Sequence, residues 1–169
     1  MRRILRLIDS TNEWVGRQMK WLVFALIGFI VGEVVLRYVF NHPTLQGPVL
    51  ATMTGAALYA LSLGYIALHH GHVRIDLLYG RLSPRRKAIL DVILTLLFFY
   101  PVIGLLTYAA GEWMWFAWLT GERTAMTYWY ARLGPIRTAI FAGLVLYILQ
   151  GSAQFVRDLH LAIRSKPYD

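Results

Sequence analysis

The residues able to do chemistry in this chain are few and widely spaced. Glu33 and Arg37 lie within an otherwise apolar run, four positions apart with the acid first, the order that favours a same-face ion pair on a helix. Charges in such a run are costly unless paired or hydrated. The pair either neutralises itself near a membrane interface, orienting its helix, or lends one member to a partner protein; a lone Glu beside an Arg is a poor trap for a transported cation. His69, His70 and His72 invite a metal or haem reading. Histidines at i, i+1 and i+3 do not share a helix face, and a metal needs ligands that converge. Haem between membrane helices would draw its histidines from two of them, yet His42 and His160 fall at opposite ends of the predicted topology.

Nucleophiles fare no better. Thr52, Thr54, Ser62 and Thr107 supply hydroxyls, but no His or acid lies at the same depth to activate and orient them. Asp76 and Asp91 belong to one side of the predicted topology, Glu112 and Glu122 to the other. There is no phosphate-cradling glycine loop or dinucleotide fingerprint, and no cysteine that could form disulfides, attack as a thiolate or ligate a metal. The chain is not expected to be an enzyme, and no cofactor or metal is expected.

The elements that position these residues follow from hydropathy. Of the 169 residues 57% are hydrophobic and only 15% charged, against about 25% charged in soluble domains. A helix needs about 20 mostly apolar residues to cross the hydrocarbon core. Four stretches qualify, at about 21–40, 49–68, 90–111 and 138–156. The first is too long for the apolar core of an export signal and offers no small-residue cleavage site after it, so it is read as a retained helix. The predicted fold is an all-α integral membrane protein, one transmembrane domain of four helices over residues 1–169.

Orientation follows from Lys and Arg beside the spans. The N-terminal segment, the loop between spans two and three and the C-terminal tail hold thirteen basic residues. The opposite side holds four: Arg37, Arg123, Arg132 and Arg137. Both termini are therefore expected in the cytoplasm. Residues 41–48, with two prolines and a glycine, form a short turn. Residues 3–19 and 73–82 mix apolar with charged positions, as interfacial amphipathic helices do. Ser83-Pro84 reads as an N-cap with proline at the first helical position. Trp113, Trp115, Trp118, Tyr128, Trp129 and Tyr130 form an aromatic belt beside the far loop, 112–136.

The net charge of +8 does not point to nucleic acid, since that needs a solvated basic face. Juxtamembrane basic residues facing anionic lipid headgroups account for it. Span two is rich in small residues (Ala51, Gly55, Ala56, Ala57, Ala60, Gly64), which let helices approach closely, either within the chain or onto another subunit.

Two motifs say more. Arg37-Tyr38-Val39-Phe40-Asn41 closes span one, and Gly71-His72-Val73-Arg74-Ile75-Asp76 follows span two. At this spacing the pair resembles the signatures of the small membrane subunit, the Q or DctQ type, of tripartite ATP-independent periplasmic (TRAP) transporters, and the likeness extends over the whole chain. It departs from the family's pattern at the start of span two, where Leu45-Gln46-Gly47-Pro48 stands in place of a Trp and an acidic residue. The resemblance implies an accessory subunit in a bacterial inner membrane, packed beside a much larger M-type membrane subunit. That subunit would carry the sodium and substrate sites, with a periplasmic solute-binding protein delivering the solute, usually an organic acid. It marks Arg37, Asn41, His72, Arg74 and Asp76 as structural or subunit-interface residues, to which the charge pairing within span one adds Glu33. Arg37 and Asn41 would fix the end of span one, and His72, Arg74 and Asp76 would cap span two and hold the following segment. The readings to weigh against it are a small cytochrome b-like redox subunit and an independent small carrier, which would need a polar pathway within its own spans.

Overall fold

The computed structural model describes residues 2–69, 83–125 and 127–164. They form helices joined by short connections. Helix α1 spans Arg2–Tyr38 and α2 spans Gln46–Leu68. Helix α3, Pro84–Leu94, runs through a π-helical stretch, Thr95–Phe99, into α4, Tyr100–Thr120. Helix α5 spans Gly134–Arg164. With α3 and α4 forming one rod, four helices are long and apolar enough to cross a membrane.

Local chemistry explains the ends and the irregularity. Pro101 cannot donate the amide hydrogen that a regular helix would direct to Leu97, and its ring would press on that carbonyl. The wide turn just before it, with Tyr100 N donating to Thr95 O, absorbs the mismatch. Helix α1 ends on Asn41, whose φ of 51° is the left-handed conformation that Asn tolerates better than most residues. His42 N then reaches back to Leu36 O at 2.8 Å, a seven-residue closure that satisfies a terminal carbonyl. Helix α4 also ends on a left-handed residue, with a closure one residue shorter. Gly121 has φ 61°, and Glu122 N donates to Ala117 O at 3.1 Å. Ser83 is extended and α3 begins at Pro84, as the Ser-Pro pair predicts.

Residues 3–19, read from the sequence as an interfacial helix ahead of span one, are continuous with it. No proline interrupts Arg2–Tyr38, and Asp9 and Asn12 of the segment bond to α5. The segment predicted at 73–82 lies outside the described residues.

The helices stand in a row. Helix α1 packs on α2, α2 on α5, and α5 on the α3–α4 rod, while no extensive contact joins α1 or α2 to that rod. Helix α1 also reaches α5, through Asp9 and Asn12 in its N-terminal half. Apolar residues buried within the chain are mostly alanines: Ala60, Ala88, Ala117, Ala131 and Ala153, with Leu5. That is how membrane helices pack when backbones approach closely. Gly143 shows it most plainly, since a methyl group added there would lie 2.3 Å from the carbonyl oxygen of Ala60. Helices α1 and α2 are antiparallel. Glu33 sits beside Gly47, Leu26 beside Gly55 and Gly16 beside the ring of Tyr65.

A row of four exposes far more surface than a closed bundle. At most 17% of the residues in any span's apolar stretch are buried within the chain. The outer helices carry large exposed side chains: Phe24, Ile27 and Val31 on α1, and Leu97, Phe98, Leu105, Trp115 and Leu119 on the α3–α4 rod. In a membrane these faces meet lipid or another protein.

Candidate functional site

Four polar clusters hold the row together, and two open apolar faces flank it. The first cluster closes the α1–α2 hairpin. Glu33 is 9% exposed and accepts from Arg37 Nη2 at 2.8 Å. Its carboxylate also accepts from Thr44 N at 3.2 Å and from Thr44 Oγ1 at 2.5 Å. Thr44 Oγ1 in turn accepts from Gly47 N at 3.1 Å, capping the first turn of α2. The acid in span one is thus tied to the start of span two. A side chain at Gly47 would strike it, since an added Cβ would lie 2.6 Å from Glu33 Oε2.

The second cluster, at the opposite end, joins the N-terminal half of α1 to α5. Asp9 pairs with Arg157 at 2.5 Å, Gln150 Nε2 donates to Asp9 Oδ1 at 3.0 Å, and Asn12 Nδ2 donates to Gln150 Oε1 at 2.8 Å. Asn12 is 1% exposed and Gln150 2%. Asn12 Oδ1 finds no hydrogen-bond partner; it rests against Gly64, where an added Cβ would be 2.0 Å away. Buried polar side chains linked this way specify which helices are neighbours and in what register.

The third cluster lies beside the second. Glu13 accepts from Arg17 at 3.0 Å and meets His69 Nε2 at 2.8 Å, fastening the last residue after α2 to α1. The fourth cluster braces the 121–133 connection. Arg137 donates to Glu122 at 2.6 Å and to Trp113 O at 3.1 Å, with its guanidinium 5.7 Å from the Trp113 ring centre. Trp118 Nε1 donates to Thr138 Oγ1 at 2.9 Å.

No group of three or more His, Asp or Glu residues able to hold a metal ion occurs among the described residues. In each described cluster an acid is paired with a neighbouring base, although Glu122 Oε2 is left without a hydrogen-bond partner.

Of the residues singled out from the sequence, the structure brings Glu33 and Arg37 together and places Asn41 at the left-handed turn that ends α1. His72, Arg74 and Asp76 lie outside the described residues. Asp9, Asn12, Gln150 and Arg157 were not anticipated as a group. Their signal was faint: an amide in the otherwise apolar 138–156 run, and another on the apolar side of residues 3–19. Gly28 and Gly32 were missed as well. They form a Gly-x-x-x-Gly pair on α1, with nothing within 4 Å of a Cβ added at either. Such a pair is a common close-packing face for a second membrane helix, and here it points away from the rest of the chain.

No curated protein sequence matches the chain, and no solved structure matches it. A family model does match, over residues 26–161: the DctQ component of the tripartite ATP-independent periplasmic transporters. That stretch takes in the hairpin lock, α2, the α3–α4 rod and nearly all of α5, a four-span polar-braced row without a described catalytic or metal centre. The chain belongs to the DctQ family, the small membrane subunit of TRAP transporters.

Proposed function

We propose that this subunit is a scaffold. It sits in a bacterial inner membrane with both termini cytoplasmic and supports a large M-type transport subunit. That partner performs sodium-coupled uptake of an organic acid handed over by a periplasmic solute-binding protein. The observation that carries the reading is the open row: its outward faces are apolar and its polar groups are engaged in bracing. A transport pathway needs polar groups lining a cavity near the bilayer midplane, whereas Gln150, the amide within the apolar 138–156 run, is buried and bonded to Asn12 and Asp9 of α1. The thirteen-to-four distribution of basic residues supports the orientation.

The partner contact is placed on the outer face of α1, where Gly28 and Gly32 would admit a helix of the large subunit. Glu33, Arg37 and Asn41 keep that face in register by fixing the end of α1. His72, Arg74 and Asp76 would hold the segment after α2, so that Arg74→Ala or Asp76→Ala lowers transport by weakening assembly. Affinity purification of the tagged chain in mild detergent, with mass spectrometry of what is retained, tests the reading. A much larger polytopic protein in roughly equal amount is the expected result. A stable homo-oligomer with no second protein would overturn it.

A further inference from the structure

The 121–133 connection contains an arrangement that neither hairpin closure nor partner packing explains. Arg123 and Arg132 face each other in an isolated antiparallel bridge. Thr124 N donates to Ala131 O at 2.9 Å, and Leu133 N donates to Glu122 O at 3.0 Å. Those bonds flank the arginines, which makes them a non-hydrogen-bonded pair, the position where facing side chains stand closest and on one side of the ribbon. Like charges directly opposite one another destabilise a strand pair. Both arginines are exposed, and among the described residues neither guanidinium forms an ion pair. The acid nearest in sequence, Glu122, gives its Oε1 to Arg137, while its buried Oε2 has no hydrogen-bond partner. The two arginines line one cavity of about 530 Å³ with Trp118, Thr120, Gly121 and Pro135. The carboxylate of Glu122 borders the same cavity, and with Arg123, Arg132 and Arg137 around it the local balance stays positive.

We propose that this cavity binds the phosphate of an anionic membrane phospholipid, with Arg123 and Arg132 as a two-guanidinium clamp. Guanidinium groups match phosphate oxygens in geometry and charge. A phosphate between two facing arginines converts their repulsion into two charge-assisted contacts. The source is assigned to lipid because the cavity opens at the end of α4, directly beyond exposed Trp115, Phe116 and Leu119. An acyl chain descending from a headgroup held here would run along those side chains. The site lies at a membrane interface whichever way the protein faces, so the inference does not depend on the scaffold reading.

Native mass spectrometry of the purified full chain with phosphatidylglycerol or phosphatidylcholine tests it, comparing the unaltered protein with R123Q/R132Q, R123K/R132K and the control R86Q. Phosphatidylglycerol should be retained over phosphatidylcholine, with retention about a hundredfold or more weaker in the glutamine pair, the loss of two charge-assisted contacts. The lysine pair keeps the charge and the fold but not the fork, and should fall between. The R86Q control should match the unaltered protein. Equal phosphatidylglycerol retention in R123Q/R132Q would overturn the site. Inorganic phosphate binding as tightly as the lipid would overturn the lipid assignment. Unchanged lipid retention with loss of a co-purifying protein in R123Q/R132Q would make the pair a protein contact instead, and would also refute the proposal.

Discussion

Gly143→Ala probes the seam on which the row depends. The new methyl would lie 2.3 Å from Ala60 O, 2.5 Å from Ala60 C and 3.0 Å from Leu61 N. All three are backbone atoms of α2, so no side chain can turn aside. Restoring an ordinary contact of about 3.4 Å requires α2 and α5 to separate locally by about 1 Å. A gap of that size forfeits about a quarter to a half of each dispersion contact of about 0.1–0.2 kcal/mol. Over some tens of atom pairs along the seam the loss is about 1–3 kcal/mol, the usual range for overpacking. In a chain of this length it corresponds to a fall in Tm of about 3–10 °C. Gly104→Ala is the matched control, because nothing lies within 4 Å of a Cβ added there and alanine favours a helix over glycine by about 0.5–1 kcal/mol. Thermal unfolding of both variants in one detergent, followed by intrinsic tryptophan fluorescence, reads the difference. Gly143→Ala should melt clearly lower, and Gly104→Ala at or slightly above the unaltered protein. Equal melting of the two variants would refute close α2–α5 backbone packing.

Other perturbations address the polar clusters and the open face. Gln150→Leu removes the link between Asn12 and Asp9 and should cost about 1–2 kcal/mol, since buried amides lose their partners; a Tm scan of the single variant and of Gln150→Leu with Asn12→Leu should show the double variant recovering part of the loss. Glu33→Ala should lower Tm more than Arg37→Ala, because Thr44 also depends on the carboxylate whereas Arg37 is half exposed; the reverse order would show that the ion pair, rather than the tie to Thr44, closes the hairpin. Gly28→Leu with Gly32→Leu should leave the Tm of the isolated chain unchanged yet sharply reduce co-purification of the large partner. Retained co-purification would place the contact on another face.

The sequence carried the number of spans, because about 20 apolar residues between charged borders have few other uses in a helical protein. It carried the Glu33–Arg37 pair, since that contact is local to one helix. It could not carry the neighbour order. Every span is apolar on most sides, and hydropathy does not say whether α5 sits beside α2 or α1. That choice is made by Gly143 against Ala60 and by Gln150 against Asn12, contacts across more than eighty and more than a hundred positions. The role of Asn41 was legible only as part of a motif; its left-handed backbone supplies the physical reason for an Asn there. The small residues of α2 were visible, but which of them face α1 and which face α5 depends on the row itself.

The central claim is that this subunit assists transport and does not perform it. Uptake of radiolabelled solute into proteoliposomes tests that most directly, with this chain alone, with its co-purified large partner and the matching binding protein, and with the partner and binding protein in the absence of this chain. Uptake is expected only where this chain and the partner are present together. Solute uptake by this chain alone would contradict it.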